Sequence, residues 1–104
     1  MAKAAFEIYE SRFATFEWDE TKRISNIRKH GIDFIDIPPV FDNPMVRKRS
    51  DRNDEIRYLI IGDADGREIA VAYKENGQTC RILSARPARK DERAQYRALL
   101  AGRD

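Results

Sequence analysis

Alternating apolar and polar residues predict a set of β-strands through the middle and second half of the chain. Glu55–Ile61 alternates clearly and carries apolar residues on both faces near its end, which is typical of a central strand. Arg67–Glu75 and Thr79–Arg86 predict two more strands, and Met45–Arg49 predicts an edge strand with an exposed basic cluster. Thr15–Trp18 predicts a short strand before the first well-defined helix.

That helix is predicted over 20–30. Asp19 suits its N-cap, and Gly31 suits the left-handed position that follows its last turn. Ile24 and Ile27 are expected on its buried stripe. Along another face the polar residues Lys22, Asn26 and Lys29 or His30 follow one another at helical spacing, and that face has a simple interpretation as solvated surface.

Three further segments complete the helical prediction. The apolar run 34–41 contains Pro38-Pro39, which predicts a kinked or broken second helix, and Asp33 is expected to cap it. Residues 88–101 predict a C-terminal helix that ends at Gly102. Helical spacing within residues 1–15 predicts a short amphipathic helix, either an accessory element on the core or a partner contact.

The Asn76-Gly77 pair predicts a type I′ hairpin turn, and this turn sets a register. The register places three pairs on the core face: Tyr73 with Cys80, Val71 with Ile82, and Ile69 with Ser84. Cys80 is then a small buried side chain and not a nucleophile.

On the other face, the same register places Arg81 opposite Ala72, over a floor of small side chains. Arg86 falls on the core-face parity and is expected to emerge at the rim of the sheet, because Pro87 ends the pairing. A cation over small residues leaves room for a ligand on the sheet, although a helix or a carboxylate could equally cover it.

Composition narrows the class of protein. The 104 residues suit one domain, 1–104, and the net charge of +2 is too small to indicate nucleic-acid binding by itself. Basic residues are nevertheless concentrated after Arg81, and the single cysteine excludes an internal disulfide. No membrane span or secretion signal is visible, so a cytoplasmic location is expected.

The sequence shows no nucleophile triad, P-loop, dinucleotide fingerprint or zinc motif. Gly62–Gly66 superficially resembles a calcium loop, but it lacks the ligand spacing and the terminal glutamate, so neither metal nor cofactor is expected.

An antiparallel sheet with helices on one side would leave a basic face suited to single-stranded RNA. Cleavage without a metal requires a base for the ribose 2′-OH, cations for the crowded phosphate and an acid for the leaving oxygen. The candidate catalytic residues are Arg57, Arg81, Arg86, Tyr96 and His30, with Glu92 as an alternative to Tyr96 in proton transfer. The candidate RNA-binding residues are Lys22, Lys29, Lys74, Arg89 and Arg93.

Several motifs in order resemble the BrnT family of type II toxin–antitoxin toxins. They are Trp18-Asp19 with Lys22, Lys29-His30-Gly31, Phe41-Asp42-Asn43-Pro44, Arg57 before an apolar strand, Ile82-Leu83-Ser84-Ala85-Arg86, and Glu92-Arg93 with Tyr96. The resemblance covers residues 16 to about 97 and assigns 16–101 to the toxin domain, with 1–15 as an N-terminal extension. Pro38-Pro39 and Pro87 depart from the usual family pattern.

The resemblance implies an α+β, RelE-like fold: an antiparallel sheet of about four strands with N-terminal helices and a C-terminal helix. It also implies a bacterial ribonuclease that inhibits translation and is neutralised by a BrnA-type antitoxin. Operator DNA would be bound only through the toxin–antitoxin complex, and a homodimer or a 2:2 complex is left open. The alternative is a non-catalytic module of the same fold that serves antitoxin binding and regulation.

Overall fold

The computed structural model describes residues 5–102, which form an α+β fold around one six-stranded sheet. The strands are β1 (Glu7–Tyr9), β2 (Thr15–Glu17), β3 (Met45–Arg49), β4 (Tyr58–Ala64), β5 (Arg67–Asn76) and β6 (Thr79–Pro87). The α-helices are α1 (Glu20–His30) and α2 (Lys90–Ala101), and two 3-10 helices span Phe34–Asp36 and Pro38–Asp42. The α+β class and the C-terminal helix are confirmed, but the sheet has six strands where about four were expected.

The strand order is β1-β3-β4-β5-β6-β2, and every pairing is antiparallel except that of β2 with β6. β4 is a central strand, as its two apolar faces predicted. β3 is not the expected edge strand, because β1 pairs along its outer side. The core lies on one face of the sheet under the two 3-10 helices, and α2 covers part of the other face.

The predicted N-terminal helix is wrong where the structure describes it; residues 1–4 lie outside the described part. Residues 7–9 form β1, with Ile8 opposite Val46. Alternation explains the strand: Phe6 is buried on the α2 side, while Tyr9 lies on the other face under the Arg47 guanidinium, 3.8 Å from it. Arg47 is therefore half-buried, which corrects the expectation that the whole basic cluster of β3 is exposed.

Both predicted caps of α1 are confirmed. The Asp19 carboxylate accepts a hydrogen bond from the backbone N–H of Lys22, and Gly31 has a φ of +68°. The predicted buried stripe is wrong, because Ile24 is 39% exposed and Asn26 is the buried residue of the helix. The broken second helix is confirmed as the two 3-10 helices, the first capped by Asp33.

The hairpin between β5 and β6 differs from the prediction in turn and in register. Its central residues are Gly77 and Gln78, since Asn76 pairs with Thr79, and of these two only Gly77 has a positive φ. Tyr73 consequently pairs with Ile82 and not with Cys80. Cys80 and Ile82 still face the core, because the turn moved by a whole side-chain period.

A β-bulge at Leu83 changes the faces of the rest of β6. Tyr73 pairs with Ile82 and Ala72 with Ser84, so Leu83 is one extra residue on β6. Beyond it Ala85 faces the core, and Ser84 lies on the opposite face, which corrects its predicted core position. Arg86, opposite Ala70, moves to that same face, so its predicted core-face parity is also wrong.

Asn26 joins α1 to the edge of β6 just beyond this bulge. Its side-chain amide donates to the backbone carbonyls of Ala85 and Ile32, both at 2.9 Å, and its carbonyl accepts from the Ala85 N–H at 3.1 Å. The Asn26 side chain therefore replaces a neighbouring strand at this point of the β6 edge. The bonds are buried, so each backbone group depends on them for a partner.

We predict that Asn26→Ala lowers the free energy of unfolding by about 3 kcal/mol, because it leaves buried backbone groups without partners. Urea denaturation measures the effect. Arg28→Ala is the matched control on the exposed face of the same helix and should change stability by less than about 0.5 kcal/mol. Equal stability of the two variants would contradict the structural role given to Asn26.

Candidate nucleic-acid interface

The face of the sheet that carries α2 is only partly covered by it. α2 packs over Val46, Ile61 and Ala70 through Tyr96, and the sheet beyond Ala70 stays open. An inner hollow of about 270 Å³ lies there, with Ala72 among its lining residues. Its other lining residues are Lys22, Ser50, Arg52, Arg57, Leu83 and Ser84.

An outer hollow of about 280 Å³ adjoins the inner one toward the hairpin end of β5 and β6. Its lining residues are Glu17, Glu55, Ile56, Lys74, Glu75, Asn76 and Arg81. The two hollows are connected by Arg57, whose guanidinium donates to Glu55 across the boundary. Together they form what we call the basic face, with five cationic side chains against three carboxylates.

Ion pairs hold three of the five cations of the basic face in place: Arg57, Lys74 and Arg81. Glu55 accepts from Arg57 Nε at 2.7 Å through one oxygen and from Lys74 Nζ at 2.9 Å through the other. Arg81 lies 3.5 Å from Glu17, a longer contact than those of Glu55, and both side chains are more than a third exposed. Such half-exposed pairs are weak, so an incoming phosphate can compete for these cations.

Glu55 is an ionised carboxylate at neutral pH, as any exposed glutamate is, and these contacts favour its charged form further. The hydrogen bond from Lys74, followed by that from Arg57, holds the pKa of the Glu55 carboxyl below its ordinary value. Cys80 is in the opposite situation, because burial raises the pKa of its thiol to about 12. It is fully buried, which confirms its predicted core position, and a buried thiol with a raised pKa is a poor nucleophile.

The structure does not bring Arg86 to the basic face. Its guanidinium forms a bidentate ion pair with the Glu92 carboxylate, with N–O distances of 2.8 and 2.9 Å. Glu92 also accepts a hydrogen bond from the backbone N–H of Arg89. The Glu92 side chain is only 6% exposed. Arg86 thus joins the end of β6 to the first turn of α2.

Tyr96 also lies apart from the basic face. It is a residue of α2 that is buried between the helix and the sheet, and its hydroxyl donates to the Pro44 carbonyl at 3.4 Å. Burial raises the pKa of its hydroxyl. Arg86 and Tyr96, two of the candidate catalytic residues, therefore serve the packing of α2 in this structure.

The remaining sequence candidates divide in the same way. Lys22, Arg57, Lys74 and Arg81 lie on the basic face. His30 ends α1, roughly 12 Å beyond Lys22 along the helix axis, and lines neither hollow. Lys29 is exposed near it, and two candidates lie at α2: Arg89 at its N-cap and Arg93, which donates to the Ala88 carbonyl.

Sequence reasoning did not name Ser50, Arg52 or Glu55 as candidates, although all three line the basic face. They lie in and beside the β3–β4 turn, which the sequence marked only as a polar loop and the start of a strand. The adjacent Asn53 and Asp54 are the sequence signal that could have identified a tight turn there, and both have a positive φ in the structure.

A third hollow, of about 420 Å³, is lined by four aspartates and Arg67 beside the 3-10 helices, on the other side of the core. Within residues 5–102, no group of three or more His, Cys, Asp or Glu side chains is arranged to hold a metal ion. None of the helices in that range is long and apolar enough to cross a membrane.

Comparison with known families identifies the class to which this fold and basic face belong. Residues 18–92 match the family described as a ribonuclease toxin, BrnT, of a type II toxin–antitoxin system. Since the match covers well over half of the chain, the protein belongs to the BrnT family of ribonuclease toxins. Membership implies an antitoxin partner. No curated protein matches the chain.

We predict that Glu92→Gln destabilises the fold at pH 7, because the substitution removes the charged partner of Arg86 and weakens the contact between β6 and α2. The contact with Arg86 holds the pKa of the Glu92 carboxyl below its ordinary value. The stability that this carboxylate adds is therefore complete above the unfolded pKa of about 4.3 and is lost as the pH falls through the lower, folded pKa.

The difference in unfolding free energy between wild type and Glu92→Gln should accordingly be constant from pH 7 to about pH 5 and shrink below that. Urea denaturation at a series of pH values measures it. A difference that grows as the pH falls would contradict the ion pair.

Proposed function

We propose that the protein is an endoribonuclease that cleaves RNA on the basic face without a metal ion and thereby inhibits translation. One observation carries the proposal: in a ribonuclease toxin family, Lys22, Arg57 and Arg81 come from three separate elements to one open hollowed surface. Convergence of cations from distant parts of the chain is what recognition of a phosphate backbone requires.

The chemistry of the surface fits an RNA strand. Cations held near phosphate stabilise the extra negative charge of the crowded transition state, which is the main requirement when no metal supplies it. Arg57 and Lys74 are already positioned by a shared carboxylate, and Arg81 stands beside them on β6. The small side chains of Ala72 and Ser84 leave space above the sheet for the strand.

The partner proposal follows from the family. We propose a BrnA-type antitoxin that neutralises the toxin in the cytoplasm, with operator DNA bound only through the complex. A 2:2 assembly of toxin and antitoxin is part of this proposal.

We predict that Arg81→Ala and Arg57→Ala each lower the cleavage rate by about 10²-fold, because each removes one cation from the transition state. RNA cleavage is measured with free RNA in the presence of EDTA and, separately, with translating ribosomes in the magnesium buffer that they require. Arg97→Ala is the control: it also removes an arginine ion-paired to a glutamate, but on exposed α2 away from both hollows. It should cleave like wild type, and unfolding experiments should show all three variants folded.

The non-catalytic alternative predicts a different result in the same assays. Under it, folded wild-type protein leaves RNA and translation intact on both substrates while it still binds the antitoxin. Loss of wild-type activity on free RNA in EDTA, restored by a divalent cation, would contradict the metal-independent mechanism but not the ribonuclease activity.

A further inference from the structure

We propose that the Glu55 carboxylate is the general base that takes the proton from the ribose 2′-hydroxyl during RNA cleavage. The inference rests on the proposed ribonuclease function and adds to it a catalytic residue that the sequence did not indicate. It also fixes the chemical class of the substrate, because a base in this role requires RNA and not DNA.

The position of Glu55 is fixed by its backbone. Arg52 and Glu55 exchange two backbone hydrogen bonds, at 3.0 and 2.9 Å, across the tight turn of Asn53 and Asp54. The carboxylate therefore lies at a defined place beside the outer hollow, with its side chain 37% exposed. A base on a closed turn is held in place before substrate arrives, as general-base catalysis requires.

Glu55 is the best-placed group on the basic face for this role. The general base must lie close to the cations that bind the scissile phosphate, because the attacking 2′-oxygen and that phosphate belong to the same nucleotide. Glu55 contacts cations belonging to both hollows, Arg57 and Lys74. Glu17 approaches only Arg81, at 3.5 Å, and Glu75 is bound to Arg47. No histidine lines either hollow.

The proposed step balances as follows. The phosphate is bound by Arg57 and Lys74, which releases the Glu55 carboxylate from these cations. The 2′-O–H proton passes to a Glu55 oxygen while the 2′-oxygen bonds to phosphorus and the P–O5′ bond breaks. The 5′-oxygen takes a proton from water, and Glu55 returns its own to the solvent, so the products are a 2′,3′-cyclic phosphate and a 5′-hydroxyl.

The charged surroundings keep this base ionised over the working pH range. Arg57 and Lys74 contact it directly, and Glu17, Glu75 and Arg81 line the same outer hollow. The direct cation contacts hold the pKa of the Glu55 carboxyl below its ordinary value. In the free enzyme the carboxylate is therefore ionised from pH 7 to about pH 5, and kcat/KM of the wild type, which reports the free enzyme, should show no acidic limb in that range.

The experiment compares Glu55→Gln and Glu55→Asp with the control Glu68→Gln, which alters a glutamate of β5 that is ion-paired to Arg97 of α2. Single-turnover cleavage is measured on whichever substrate the wild type cuts, and binding on its 2′-deoxy analogue, which cannot be cleaved. Glu55→Gln should cleave at least 10²-fold more slowly and bind the analogue at least as tightly, since a competing anion is gone. Glu55→Asp should recover part of the rate, and Glu68→Gln should match wild type.

Cleavage by Glu55→Gln within threefold of wild type would overturn the proposal, as would an acidic limb near pH 6.5, the ordinary pKa of imidazole. The pH profile uses wild-type protein and so decides the matter even if Glu55→Gln fails to fold. Neither result affects the proposed ribonuclease function, which fails only if the wild type itself cleaves no RNA.

Discussion

The arrangement of the basic face depends on one extra residue, Leu83, in the pairing of β6 with β5. A regular strand would send Ser84 and Arg86 into the core and leave Ala85 outside. The bulge reverses this, so Ile82 and Ala85 both pack inward while Arg81 and Ser84 share the open face. Asn26 then holds α1 against the β6 edge at Ala85, which keeps Lys22, one turn earlier on the helix, at the inner hollow.

The cations of this surface are arranged before any ligand binds. Carboxylates from neighbouring elements hold Arg57, Lys74 and Arg81 close to the sheet, and these pairs are exposed enough to be exchanged for phosphate. The Arg86–Glu92 pair is more buried than these pairs, and Glu92 also accepts a backbone hydrogen bond, so the role of this pair is structural. A small net charge of the whole chain is thus compatible with a basic surface. The acidic residues that offset the basic ones lie largely elsewhere or form ion pairs with the cations of that surface.

Local signals predicted the elements well: the caps of α1, the break at Pro38-Pro39, the central place of β4 and the burial of Cys80 are all confirmed. What the sequence could not supply was pairing across the sheet. A bulge leaves no mark in a single strand, so the faces of Ser84 and Arg86 were wrong, and β1 was mistaken for a helix because its short alternation also fits helical spacing. Glu55 and Arg52 were missed for the same reason, since only the folded turn brings them to Arg57.

The central claim is that RNA binds the open face of the sheet and not the start of α2, where the sequence alone directed attention to Arg86. Backbone amide chemical shifts, followed by NMR during titration with an uncleavable 2′-deoxy analogue, test this most directly. We expect the largest chemical-shift changes at Lys22, Arg57 and Ser84, with little change at Arg86 and Arg89. The largest changes around Arg86 and the first turn of α2, with the basic face unaffected, would contradict it.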